Sequence, residues 1–244
     1  MIIAFKGNIA SKNIGEELES RGIKVEWISE PALDVKTLPP ADYYIVVYSH
    51  RSVKGVPSLT VHPTGNFHTA DIGGLPETLQ ETSPLINAEI LVRLKKFSPE
   101  GFEVTYEATH HGPTNINAPL CFVELGSTEK EWSDKKGITA VASAVEDFIK
   151  NPKTSDWKQA IGIGSTHYPE RFTRRTLNDG IAFGHIIPAH AFQHLKKSVM
   201  TQAIIKTIGV TTAVIDTSRQ GTKDDRKIIF EVLEENSIEL VRLR

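Results

Sequence analysis

The chain has 244 residues, with 28 Lys and Arg against 30 Asp and Glu and a formal net charge of -2 at pH 7. That balance excludes a strongly basic coat for binding nucleic acid through bulk charge, although a local basic patch is still allowed. The one cysteine, Cys121, excludes an intramolecular disulfide and suits a reducing compartment.

In chain order, an apolar run at residues 2–5 reads as a strand and residues 11–21 as a helix. Ile14 and Leu18 stand four apart in that helix, and Gly22 closes it. The opening carries no evident secretory leader, and no apolar run approaches the roughly 20 residues that span a bilayer, so the expected location is the cytoplasm. Strands follow at residues 25–28, 43–48 and 59–61. Residues 65–83 are polar and Gly-rich and read as a long functional loop. Residues 85–97 show a helical stripe through Leu85, Ala88, Leu91 and Val92, with Lys95 and Lys96 in the last turn. Strands at 102–108 and 120–125 come next, then a helix start at Ser127-Thr128-Glu129 with an acidic first turn. Val141, Ala142, Val145 and Phe148 mark a helix over 139–149, and residues 152–156 read as a plain surface connection. The remaining elements are strands at 160–163, 181–184, 213–215 and 238–243, one or two helices over 191–206, and a helix over 224–236.

Strands alternating with helices predict an α/β fold. Continuous apolar runs such as YYIVVY predict strands covered on both faces by helices. The whole chain reads as one domain over 1–244, with a small N-terminal α/β lobe over about 1–58.

The nine histidines carry the chemical signal. Most stand just after a strand, in turns rich in Gly, Pro and Thr: His50 after 43–48, His62 after 59–61, His110 and His111 after 102–108, His167 after 160–163, and His185 after 181–183. Ligands of open α/β sheets bind outside the carboxyl ends of the strands, so these imidazoles are expected to converge on one crevice. Imidazole is a zinc ligand, and a catalytic zinc site uses about three protein ligands. Glu107 and Glu124 lie at the same strands and offer a carboxylate ligand or a general base. A carboxylate inside the apolar strand at 120–125 is costly unless paired or metal-bound, which singles out Glu124.

Other features read more simply. Cys121 is a small core residue, Trp132 and Phe148 are core anchors, and His190 and His194 lie on a helix surface. Arg171, Arg174 and Arg175, with Lys196 and Lys197, read as a solvated face; a phosphate-backbone platform is the functional alternative. The chain has no dinucleotide-binding glycine fingerprint, no P-loop and no G-x-S-x-G elbow.

Taken together, YSHRS at 48–52, LTVHPTGN at 59–66, EATHHGPT at 107–114, FVELGST at 122–128, GIGSTHY at 162–168 and GHIIP at 184–188 resemble the archaeal-type, zinc-dependent D-aminoacyl-tRNA deacylase family. The resemblance covers nearly the whole chain and is specific only as a set. It implies a three-layer α/β arrangement with a mixed sheet, similar to phosphorylases, peptidyl-tRNA hydrolase and some zinc peptidases. It implies hydrolysis of the ester between a D-amino acid and tRNA, and a zinc ligand set drawn from His62, His110, His111, His167, His185 and Glu124. Glu124, Glu107, His110 and His50 are the expected catalytic groups, with the amides of Gly112 and Gly164 completing an oxyanion site. Thr64, Asn66, Thr114, Thr166, Arg174 and Arg175 are the expected substrate contacts. The partner implied is tRNA, and the chain is expected to act as a monomer. A phosphorylase-like or amidohydrolase-like enzyme on a small metabolite is the alternative, since fold alone does not separate the two.

Overall fold

A computed structural model describes residues 1–152 and 156–243, so most of the connection expected at 152–156 lies outside the described residues. The first half of the chain runs β1 (Ile2–Phe5), α1 (Ile9–Ser20), β2 (Val25–Ile28), β3 (Tyr44–Ser49), β4 (Ser58–His62), β5 (Gly65–Asn66), β6 (Thr78–Leu79), α2 (Pro84–Phe97), β7 (Glu103–Tyr106) and β8 (Leu120–Gly126). The second half runs α3 (Glu129–Trp132), α4 (Lys135–Lys150), β9 (Lys158–Ser165), α5 (Glu170–Asp179), β10 (Ile181–Pro188), α6 (Lys197–Ile205), β11 (Thr212–Asp216), α7 (Lys223–Glu235) and β12 (Glu239–Leu243). Side chains start several helices: Asn8 accepts from the Ser11 amide, Asp134 accepts from the Lys136 amide, and Thr222 with Asp225 forms a reciprocal cap. Thr128 and Glu131 do the same for α3, at the start expected there.

The strands divide between two sheets rather than filling one. A mixed six-stranded sheet has the order β2-β1-β3-β8-β4-β7, in which β4 runs antiparallel to β8 while the other neighbours are parallel. An all-parallel four-stranded sheet has the order β10-β9-β11-β12. The pair β5-β6 gives the loop at 65–83 a small ladder of its own. Within the stretch 1–58 expected as a small lobe, β1, β2 and β3 continue through β8 into the same sheet as β4 and β7.

Alternation along the strands decides what each face of the mixed sheet meets. Ile45, Val47, Leu59, Val61, Cys121, Val123 and Leu125 pack in one core with Ile14 and Leu18 of α1, Leu91 of α2 and Val141 of α4. The opposite face carries Ile3, Phe5, Val46 and Phe122, covered by Ala32, Val35, Ile116 and Ala118 from irregular segments. The expectation of helices on both faces therefore fails for this sheet, and its second face is where polar residues gather. The parallel sheet does have helices on both faces. Phe172 of α5 lies on the side shared with α2, and Val199 of α6 and Ile229 of α7 lie on the other.

α2 joins the two sheets. It packs on β4 and β7 of one and β9 and β10 of the other, and the Asn87 side chain donates to the Phe183 carbonyl of β10 at 3.1 Å. α5 was not expected, because ERFTRRTLND buries only Phe172, Thr173 and Thr176 and offers no apolar stripe. Leu91 is fully buried at the junction. Leu91→Ala should lower stability by about 2–5 kcal/mol. Urea denaturation should show both sheets lost in one transition, and two separate transitions would count against α2 as the shared element.

A candidate metal centre on the open face of the mixed sheet

Thr60, His62, Phe122 and Glu124 point to the same sheet face, because β4 and β8 pair with Thr60 opposite Glu124 and His62 opposite Phe122. β7 adds Glu107 one residue beyond its end, where the Glu107 amide donates to the Val61 carbonyl at 3.1 Å. The exits of β3 and β9 deliver His50 and His167. The imidazoles of His50, His62, His110, His111 and His167 come together, without His185, and across a sheet face rather than at one edge. β3 and β4 run in opposite directions, so their carboxyl ends approach the buried Glu124 from opposite sides.

The two carboxylates are the centre of the cluster. Glu107 is fully buried and Glu124 is 3% exposed. Glu107 Oε1 accepts from the Thr60 hydroxyl at 2.5 Å and lies 3.1 Å from His50 Nδ1, and its Oε2 lies 2.7 Å from His167 Nε2. Glu124 lies 3.5 Å from both His50 Nδ1 and His62 Nε2, and 3.8 Å from His111 Nε2. Burial opposes ionisation of both acids, but hydrogen bonds from His167 and His50 hold Glu107 well below the usual carboxylate range. The surrounding His111, His50 and His62 rings do the same for Glu124. Burial likewise opposes a charge on His50, but the hydrogen bonds to Glu107 and Glu124 prevail and push its pKa up to about 11.

His50 is the best supported ring. Its amide donates to Leu125, its carbonyl accepts from Trp132 Nε1 at 2.9 Å, and its Nε2 lies 2.8 Å from the Tyr168 hydroxyl. Gly126 permits this position, since a Cβ there would stand 2.7 Å from the His50 ring. Tyr168 was not singled out from the sequence; its place next to His167 is the only signal that pointed to it.

His62, His110 and His111 form a second group. Each donates Nδ1–H to a backbone carbonyl: His62 to Pro63 at 3.1 Å, His110 to Ala108 at 2.8 Å and His111 to Gly112 at 2.6 Å. A carbonyl only accepts, so each Nδ1 carries a proton, and each ring in its neutral form presents Nε2 as a lone pair. The ring centroids lie 4.3–4.9 Å apart. Their ligand atoms fall within 4.8 Å of one another, as do those of Glu107, His110 and His167 and those of His50, Glu107 and Glu124. His62 Nε2 is buried and makes no hydrogen bond among the described residues. Burial, with His62 and His111 nearby, holds His110 well below its ordinary pKa and thus neutral. Three imidazoles whose Nε2 atoms lie together beside two buried carboxylates offer a donor set that fits a divalent cation. His111 adopts a left-handed backbone, φ 45°, a strain of about 1–3 kcal/mol that recurs at functional sites.

Other expected site residues lie elsewhere. His185 is fully buried outside the cluster: its Nε2–H donates to the Gln80 carbonyl at 2.9 Å, and its Nδ1 accepts from Thr109 at 3.1 Å. With both nitrogens used, it is a structural residue and not a ligand. Thr64 and Thr114 are buried, donating to the Pro113 carbonyl and accepting from the Leu75 amide respectively, and so hold loops together. Asn66 ties down Gly73 and Leu75 and also lines a cleft of about 380 Å³ beside His110 and His111. His68, His190 and His194 line that cleft too, with His68 stacked on His194 at 4.3 Å, so the pair read as a plain helix surface borders an opening. Thr166 and Arg174 are exposed on a different cleft, and Arg175 pairs with Asp179. The Gly112 amide donates to the Ile72 carbonyl at 3.1 Å and so is already engaged.

Burial lowers the pKa of His185 to about 3, against an ordinary 6.5. Its neutral form therefore supports the fold fully above about pH 6.5, and that support is lost as pH falls toward 3. The slope reaches about 1.4 kcal/mol per pH unit. His185→Gln keeps a donor and an acceptor, and should flatten the acid limb of the stability profile by that one proton while leaving metal content unchanged. Loss of metal from this variant would contradict its structural role.

The D-aminoacyl-tRNA deacylase family model matches residues 37–241. A Methanospirillum hungatei protein named D-aminoacyl-tRNA deacylase is 44% identical over 197 residues, which is 80% of this chain and 44% of that protein. A Staphylothermus marinus protein of the same name is 35% identical over 224 residues, covering 89% and 80%. A Methanocaldococcus jannaschii protein, also so named, is 34% identical and covers 100% and 99%. The chain thus spans less than half of the first relative and nearly all of the last. The crystal structure of a conserved protein of unknown function superposes with a TM-score of 0.92 and 27% identity, covering 99% of this chain and 94% of that one.

Proposed function

The chain belongs to the D-aminoacyl-tRNA deacylase family, and from that premise we propose that it hydrolyses the ester joining a D-amino acid to tRNA. The observation that carries the reading is the set of three imidazoles whose Nδ1–H groups are held by backbone carbonyls and whose Nε2 atoms lie close to two buried carboxylates. The architecture's kinship with phosphorylases and peptidyl-tRNA hydrolase, and action as a single-domain cytoplasmic monomer, belong to the same proposal.

In this reading His62, His110 and His111 hold a zinc ion. When bound, zinc supplies polarisation of the ester carbonyl and acidification of the attacking water. The chain's own residues do the rest. Glu107 takes the proton of the water. Its depressed pKa keeps it ionised and makes it a weak base, so it must pass the proton on. His167, 2.7 Å from Glu107 and with a side chain 40% exposed, provides the path to solvent. His50 remains protonated at neutral pH and balances the charge of both carboxylates. Glu124 orients His50, His62 and His111. The cleft beside His110 and His111 receives the aminoacyl side chain and selects its chirality by shape.

Purified protein should contain zinc, and chelation should abolish hydrolysis of D-tyrosyl-tRNA while the L-ester remains a poor substrate throughout. Full activity after chelation would remove the metal from the proposal, and equal rates on both esters would remove the chirality. Glu107→Gln should reduce kcat by about 10²–10⁴-fold. His62→Ala should lose zinc and activity together, as read by metal analysis of the same sample.

A further inference from the structure

The parallel sheet has a crevice that the proposed ester hydrolysis does not use. β9 leads through α5, on the face shared with α2, to β10, whereas β11 leads through α7, on the opposite face, to β12. Chains leaving adjacent strands in opposite directions open a gap at the strands' carboxyl ends, where doubly wound sheets bind ligands. A cleft of about 360 Å³ lies at that point.

Its lining suits an anion. α5 starts there, and its N-cap, Pro169, gives the first turn no side-chain acceptor; the positive end of the helix favours negative charge. Ser165, 5% exposed at the end of β9, lines the cleft, and its buried hydroxyl has no hydrogen-bond partner among the described residues. An unsatisfied buried hydroxyl is costly, and a ligand oxygen would relieve it. Arg171, Arg174 and Arg219 line the same cleft against Glu170 and Asp216. Asp216 is already engaged: Oδ1 accepts from Arg171 at 2.5 Å and from the amide and hydroxyl of Ser218. The two walls are tied together at Gly164, φ 85°, where a Cβ would stand 2.4 Å from the Arg219 carbonyl.

We propose that this crevice binds a phosphate group. On the functional reading above, that group is a phosphodiester of the substrate RNA close to its acylated end. Tyr168 supports the link, because it lines the crevice while its hydroxyl contacts His50. One residue therefore borders both the phosphate site and the carboxylate cluster.

The test compares D-tyrosyl-tRNA with D-tyrosyl-adenosine, an ester without phosphate, in wild type, Ser165→Ala and Arg174→Glu/Arg219→Glu. Arg174 and Arg219 are exposed and Ser165 loses no internal hydrogen bond, so these variants should fold, as far-UV circular dichroism would verify. For the double variant, KM on the tRNA should rise about tenfold or more with kcat within twofold, and the salt dependence of log KM should weaken by roughly 0.7 per lost contact. Ser165→Ala should raise KM on the tRNA without lowering the melting temperature. Hydrolysis of D-tyrosyl-adenosine should be unchanged in both variants. Unchanged KM on the tRNA would overturn the proposal. AMP binding by calorimetry that the variants abolish, with KM on the tRNA unaffected, would overturn the RNA source in favour of a free nucleotide. If wild type hydrolyses neither ester, the functional reading fails, and the crevice is then judged by titration of the trinucleotide CCA: weaker binding to the variants sustains it, and equal binding overturns it.

Discussion

The structure turns on two ionised carboxylates enclosed on one face of a β-sheet. Glu107 and Glu124 have almost no contact with solvent, and charges buried that way persist only where opposite charge and hydrogen bonds surround them. The protein answers with His50, protonated between them, and with imidazoles around the rest of the perimeter. The same demand for positive charge makes the cluster fit a cation. Three rings with their Nδ1 protons committed to backbone carbonyls turn their Nε2 atoms toward the acids.

Strand direction makes this enclosure possible. In an all-parallel sheet, side chains from successive strand exits would meet at one edge, open to solvent. Here β4 runs against β8, so His62 and Thr60 lie face to face with β8 residues in the middle of the sheet. β7, parallel to β4, then extends Glu107 and the two following histidines over the same face. Irregular segments and the turns beyond the strands cover this face, whereas α1, α2 and α4 cover the other. A helix layer over the open face would leave no room for the cluster.

The parallel sheet serves the site from a distance. It contributes His167 at the end of β9 and, immediately after it, Tyr168, which touches His50. Its own switch-point crevice opens on the far side of Tyr168. A reacting centre on one sheet and an anion-favouring crevice on the other thus share a short stretch of chain, held in register by α2 between the sheets. Such a division would let one end of a long substrate be gripped while its ester is placed at the carboxylates.

Element positions and the identity of most site residues were legible in the sequence because they rest on local physics. Apolar runs, caps and Gly/Pro turns marked every strand of the two large sheets, and histidines at strand exits marked His50, His62, His110, His111 and His167. An out-of-place acid in an apolar strand marked Glu124. Tertiary structure alone decided the division into two sheets, the antiparallel course of β4 and the face on which the acids lie, since pairing partners and strand direction leave no trace in one strand's composition. It also decided that His185, read from the sequence as one more strand-exit histidine, lies inside β10 with both ring nitrogens engaged. A ring's role depends on what its two nitrogens reach, and for His185 those partners, Gln80 and Thr109, lie 105 and 76 residues away in the chain.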